Sequence, residues 1–204
     1  MVDSDNYFAS KIHVKCPRKF HVFYPFLYID LWSNNLLDTE KTMDSFYTGC
    51  ADAGPDHCAF WAPSPDDIRQ NLTNIYDSIK VQPVPVKTGS TYGYVDYTML
   101  HLFVFQSLYF PITTFPLLAQ ALADLAVGNG TIVLEWMTPP PFECSVDSSK
   151  DLVENGIESE IAVICNDAAN IPADLRSTQN YFEMMSNLSE FGDMWAAITR
   201  VHCT

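Results

Sequence analysis

The chain has 204 residues and carries 25 acidic against 11 basic side chains, a formal net charge of −14. At 48% hydrophobic it can bury a core, which excludes a largely disordered polypeptide. Its cations cluster only within residues 11–19, so a basic groove for nucleic acid is excluded as well.

Residues 1–10 are polar and acidic and lack the apolar stretch of a signal peptide. Residues 11–29 stand apart. Lys11, Lys15, Arg18 and Lys19 come with no acid between them, and an aromatic run through Phe20, Phe23, Tyr24, Phe26 and Tyr28 follows. The apolar run from Phe20 to Trp32 is broken by Pro25, has no small-residue cleavage site and is too short to span a bilayer.

Regular signals begin at Leu37. Asp38 or Thr39 can cap a helix in which Met43, Phe46, Tyr47 and Cys50 share one face, and Gly54-Pro55 ends it. Ser64-Pro65-Asp66-Asp67 is a strong helix start. The serine can accept from the amide three residues on, proline suits the first helical position, and two carboxylates meet the positive helix end. Ile68, Leu72, Ile75 and Ile79 then line one face as far as Lys80. Residues 81–87 alternate with prolines and predict an extended linker or edge segment; residues 89–93 predict a turn before a helix.

Asp96 caps the next helix, with Leu100, Phe103, Val104 and Leu108 inward and Pro111 as its breaker. A fourth starts at Thr113 or Thr114, has Pro116 in its first turn, buries Leu118, Ala121, Leu122 and Leu125, and stops at Gly128. Residues 131–137 predict a short helix or strand before three prolines. Ile157, Ile161, Ala162 and Ile164 suggest a further short helix. Leu175, Phe182, Met185 and Leu188 make another, and Phe191, Met194, Trp195 and Ile198 the last. The fold expected is mainly α, six or seven amphipathic helices with very little strand and no βαβ rhythm.

The six cysteines contain no CxxC pair, so a structural zinc site is not expected, and no cofactor motif occurs. Cys50 and Cys58 flank a turn-rich stretch that can bring the two sulfurs together, and Cys144 with Cys165 is the second pairing expected; Cys16 and Cys203 are left unassigned. Asn71, Asn129 and Asn187 head three N-glycosylation sequons, which together with an even cysteine count points to the secretory route. No nucleophile elbow is found. Gly89-Ser90-Thr91-Tyr92-Gly93 has its serine one place early and no apolar strand leading into it. His57 reads as a surface residue and His101 as a partly buried helix residue, and no histidine can be matched to a nucleophile and a carboxylate.

Several strings in shared order resemble secreted α/β-hydrolases of the tripeptidyl-aminopeptidase-like kind. They include residues 31–38 with Phe46, Gly49-Cys50-Ala51, Gly54-Pro55, Cys58-Ala59-Phe60, residues 83–86 and residues 115–122. Pro141-Phe142-Glu143-Cys144, Ile164-Cys165-Asn166-Asp167 and Phe191-Gly192-Asp193-Met194-Trp195 extend the resemblance, which covers most of residues 30–204.

All matching positions belong to the family's helical cap (lid) subdomain, so the resemblance implies a cap, residues 31–204, whose central parallel sheet is missing. Residues 1–30 would hold a remnant of the preceding strand and an insertion, 11–29, expected to be poorly ordered and to arise from retained intron sequence. No catalytic serine, acid or histidine of the family falls on this sequence. A cap implies closure over a peptide, or a small ester or amide, whose amino end Glu135 and Glu143 could recognise. It also implies a secreted protein that binds neither nucleic acid nor membrane, although no recognisable signal peptide is present. The alternative is a stand-alone, non-catalytic binding protein derived from such a cap, whose apolar underside would seek a partner.

Overall fold

The computed structural model describes residues 32–89, 91–138, 161–163, 165 and 174–201. These residues are mainly helical, with one two-stranded sheet. A 3-10 turn, Ser33–Leu36, leads into α1 (Thr39–Ala53) and α2 (Pro65–Val81). Strands β1 (Val84–Lys87) and β2 (Tyr92–Val95) follow, then α3 (Tyr97–Ser107), α4 (Pro111–Ala126), α5 (Thr131–Met137), α6 (Leu175–Leu188) and α7 (Gly192–Val201). Residues 161–163 and 165 are helical too. The expected insertion, the prolines at 139–141, Ile157 and Ile164 lie outside the described residues.

Local signals account for α1 and α2. Met43, Phe46, Tyr47 and Cys50 are buried along α1, and Gly54 ends it at φ 79°, a backbone region that suits glycine. Ser64 Oγ accepts from Asp67 N at 3.2 Å and donates to Asp67 Oδ2 at 2.7 Å, closing the first turn of α2. Ile68, Leu72, Ile75 and Ile79 are buried below it. The Cys50–Cys58 disulfide ties the loop between these helices, and Trp61 Nε1 donates to Ala51 O at 3.1 Å across it.

The hairpin was only half legible. β1 occupies the expected edge segment, but it pairs antiparallel with β2, in the register Val84 with Val95 and Lys87 with Tyr92. Residues 89–93 therefore turn into a strand, not directly into a helix. Gly93 breaks the apolar alternation of β2 because α5 crosses there; a Cβ on Gly93 would lie 3.2 Å from the Leu134 methyls. Gly130, at the start of α5, is held to the same seat, where a Cβ would come 2.7 Å from Val95 Cγ2. Residues 131–137 thus resolve to a helix.

Three helices differ from their sequence patterns. α3 is capped by Asp96, whose Oδ1 accepts from Met99 N at 2.8 Å, but it is buried nearly all round. His101, Phe105 and Ser107 join Leu100, Phe103 and Val104 in the core, while Leu108 is half-buried at the C-cap. α4 begins at Pro111, so this proline opens a helix as well as ending one. Pro116 consequently sits inside α4, where the hydrogen bond it cannot make would have gone to Ile112 O, beside a side chain that is 94% exposed. Thr114 Oγ1, 2.6 Å from Ser107 O and 2.8 Å from Phe110 O, fixes the corner between the two helices. On α6 the buried residues are Tyr181 and Met185, whereas Leu175 and Phe182 are exposed. α6 packs mainly against α7 and the 3-10 turn, a seam too narrow to cover both sides of the expected stripe.

Long-range bonds close the molecule. Trp195 Nε1 donates to Trp32 O at 3.0 Å. Thr39 and Ser189 hydroxyls lie 2.7 Å apart, and Glu40 Oε1 accepts from Glu190 N at 2.9 Å. Trp32 is held at φ 56°, a left-handed conformation that costs a residue with a Cβ about 1–2 kcal/mol.

Glycine substitution separates the tight point from the loose one. A Cβ on Gly192 would collide with the Met185 carbonyl, which is backbone and cannot move aside. Gly192→Ala is expected to destabilise by about 3 kcal/mol or more in urea unfolding. Gly49→Ala, in open space within α1, is expected to stabilise by about 0.5–1 kcal/mol. Equal effects would contradict this packing.

Candidate functional site

The turn between α6 and α7 is built by its own short polar residues. Ser189 Oγ accepts from Phe191 N at 3.2 Å, Gly192 N donates to Ser189 O at 3.0 Å, and Trp195 N donates to Phe191 O at 2.9 Å. Phe191 drives into the core, with ring centroids 4.9 Å from His101 and 5.3 Å from Phe105. The residues on either side are left at the rim. Glu190 and Asp193, with Phe182, Ser186 and Ser189, line a recess of about 340 Å³.

Charge is unevenly held here. Burial works to raise the Glu40 carboxyl, but bonds from Glu190 N, Ser189 and Thr39 together outweigh it and hold it below its ordinary value. Glu190 keeps part of its side chain in water, yet its carboxyl is raised, first by burial and then by the like charge of Glu40; Arg69 opposes the shift. Arg69 is partly neutralised by Asp44, 2.7 Å away, and lies 4.7 Å over the Tyr47 ring.

Behind the recess stands an aromatic cluster. Tyr76, Tyr97 and His101 form a triangle of rings with centroids 5.0–5.5 Å apart. The Tyr76 hydroxyl is buried and has no hydrogen-bond partner among the described residues. Burial, then Glu190, pushes its pKa well up. Burial, then Asp193, pushes Tyr97 up to about 12. Burial holds His101 below its ordinary value, with Lys80 adding to this and Asp193 opposing it. Carboxylates, hydroxyls and one exposed ring suit a cationic group.

The residues singled out in the sequence are scattered. Glu135 is exposed on α5 and lines none of the recesses described here; Glu143 lies outside the described residues. Ser90 also lies outside them. His57 is exposed in the disulfide loop. Cys165 is disulfide-bonded, and Cys144 lies outside the described residues, as do Cys16 and Cys203. Asn71, Asn129 and Asn187 are all exposed, on α2, before α5 and in the last turn of α6. Asn129 Oδ1 accepts from Thr131 N at 3.1 Å and from Thr131 Oγ1 at 2.7 Å. Glu190 and Asp193 were missed because they sit in a turn with no motif; the only sequence signal was the short string around Phe191.

Further concavities flank the α3–α4 corner, where Tyr109, Phe110 and Ile112 project into solvent. A groove of about 280 Å³ runs between α1 and α4, lined by Phe46, Cys50, Ile112, Phe115 and Pro116. On the other side a recess of about 420 Å³ is lined by Asn34, Asn35, Thr39, Phe105 and Tyr109. No metal could be held by three or more ligating side chains among the described residues, and no described helix is long and apolar enough to cross a membrane.

No protein-family model, curated protein or solved structure matches the chain.

The two carboxyls have opposite consequences for stability. Glu40 is depressed in the folded state, so its contribution is present above the ordinary Glu pKa, ~4.3, and is lost as pH falls through its folded value. Glu190 is raised, so its ionisation penalises the fold above its folded pKa, and the penalty disappears as pH falls to the ordinary value. Thermal melts should show Glu40→Gln lowering the midpoint at pH 7 and Glu190→Gln raising it; the Glu190 difference shrinks as pH falls toward ~4.3, and the Glu40 difference shrinks only below that. Shifts of the same sign at pH 7 would refute this assignment.

Proposed function

We propose that this chain is the substrate-covering cap of a serine hydrolase similar to the secreted tripeptidyl-aminopeptidase-like enzymes, and that it has no catalytic activity by itself. The observation that carries this reading is the bond from Trp195 Nε1 to Trp32 O. A subdomain inserted into another fold must receive and return its chain at neighbouring points, and this bond brings residues 163 positions apart together.

The apolar corner supports the same reading. Phe105 packs 5.7 Å from Trp195, and the recess beside Tyr109 is shared with Asn34 and Asn35 in the incoming turn. Tyr109 therefore projects near the side where the chain comes in and leaves, and Phe110 and Ile112 are exposed at the same corner. In this reading that side rests on the catalytic sheet, and the serine, acid and histidine are supplied by the segments that frame the cap. Glu135 and Glu143 are joined as proposed partners for a protonated amine by Glu190 and Asp193. Phe182, beside them, adds a ring face.

Two measurements test the reading. Sequencing the complete spliced message is expected to give a Gly-x-Ser-x-Gly segment upstream and the Asp and His segments downstream. Stop codons close on both sides would favour the stand-alone binding protein instead. The purified 204-residue chain is expected to resist a fluorophosphonate probe, and a labelled serine would overturn the non-catalytic assignment.

The docking side has its own check. Replacing Phe110 and Ile112 with serine should sharply reduce 8-anilinonaphthalene-1-sulfonate fluorescence and self-association of the isolated chain. Unchanged dye binding would move the docking surface elsewhere.

A further inference from the structure

The largest concavity described, about 520 Å³, lies between residues 59–61 just after the disulfide loop, α2, β1 and the end of α4. Its size is in the range of small-molecule pockets, roughly 300–1,000 Å³. Ile75, Ile79 and Val84 line its apolar part. Asn71, Asn74 and Ser78, spaced three and four residues apart along α2, give it a polar side. Trp61 supplies an aromatic face. Its indole is 37% exposed and is fixed by the bond from Nε1 to Ala51 O, within the loop that Cys50–Cys58 closes.

One of these lining residues is itself a modification acceptor. Asn71 heads the sequon Asn71-Leu72-Thr73 and is exposed within the cleft. We propose that the cleft seats the first sugar of an N-linked glycan carried by Asn71, with the apolar face of the pyranose on the Trp61 indole. This rests on the secretory-route reading. A pyranose presents C–H groups on one face and hydroxyls at its edge, which matches an indole beside amide and hydroxyl side chains.

Attachment forms a bond from Asn71 Nδ2 to the anomeric carbon of a lipid-diphosphate-linked oligosaccharide. The anomeric C–O bond breaks, the diphosphate leaves with the electron pair, and one amide proton is lost. In the folded chain the sequon is helical and Thr73 Oγ1 donates to Arg69 O at 3.0 Å. The sugar is therefore added before α2 forms, and the helix then carries it into the cleft. Seated there, it joins α2 to the disulfide loop and covers part of the apolar lining.

The test uses the chain secreted from a eukaryotic host, trimmed by an endoglycosidase to one N-acetylglucosamine per site. Site occupancy is read by mass spectrometry, and thermal midpoints are compared in a cycle of Thr73→Ala and Trp61→Ala. Loss of the Asn71 sugar is expected to lower the midpoint by about 2–4 °C with Trp61 present and by much less without it. Should Trp61→Ala fail to fold, the N-acetyl methyl resonance of the intact trimmed protein serves instead; stacking on the indole is expected to move it upfield. Equal midpoint losses in both backgrounds, or an unshifted methyl, would overturn the proposal. An empty Asn71 beside occupied Asn129 and Asn187 would overturn it alone, whereas three empty sites would remove the secretory reading with it.

Discussion

The closure between the first and last described helices is the constraint on which the rest depends. Three hydrogen bonds make it: Trp195 Nε1 to Trp32 O, the Thr39 hydroxyl with that of Ser189, and Glu190 N to the Glu40 carboxylate. Bringing together residues about 150 positions apart carries an entropic cost that short-range bonds never face. The cost is met by burying Phe191 and Trp195 against Phe105 and His101, and the bonds then fix the register of that packing. A left-handed Trp32 persists because its carbonyl is held by an indole on the other side of the seam. Gly192 belongs to the same constraint, since only a residue without a Cβ lets α7 leave so close to the Met185 carbonyl.

That closure also sets the electrostatics. Glu40 is stabilised as an anion because it accepts from the Glu190 amide and from two hydroxyls. The same geometry places Glu190 beside an existing negative charge in a partly dry setting, where its own ionisation is disfavoured. One carboxylate acts as a structural acceptor, and its charge adds to the burial that raises its neighbour's pKa. Lys80 lies 4.5 Å over the Tyr97 ring, and Arg69 is engaged by Asp44 and Tyr47.

The proposed role follows from what such a layout can and cannot do. A cap needs a tied-in base, an apolar side to rest on a sheet and polar groups for the substrate's end. Trp32 with Trp195, the corner at Tyr109–Ile112, and the recess of Glu190 and Asp193 correspond to these three needs. The disulfide loop, facing a different concavity, fixes Trp61 through its bond to Ala51 O, and this is the wall on which the proposed Asn71 sugar would rest.

The amino-acid sequence by itself determined α1 and α2, the caps at Ser64 and Asp96, the stop at Gly54 and the Cys50–Cys58 bond. These depend on neighbours within a few residues, so helical period, capping chemistry and turn length suffice. Only the tertiary structure decided that α3 is buried nearly all round, that β2 pairs with β1, that Pro111 opens α4, and that Met185 rather than Phe182 faces inward. It also decided that Glu135 is a surface acid while Glu190 lines a recess. For Gly93 and Glu190 the deciding partner is distant in the chain, α5 and Glu40 respectively; for α6 and for β2 it is the next element along, whose packing the local pattern does not state. A local pattern states which residues are apolar; which of them become covered is set by the elements that arrive from elsewhere.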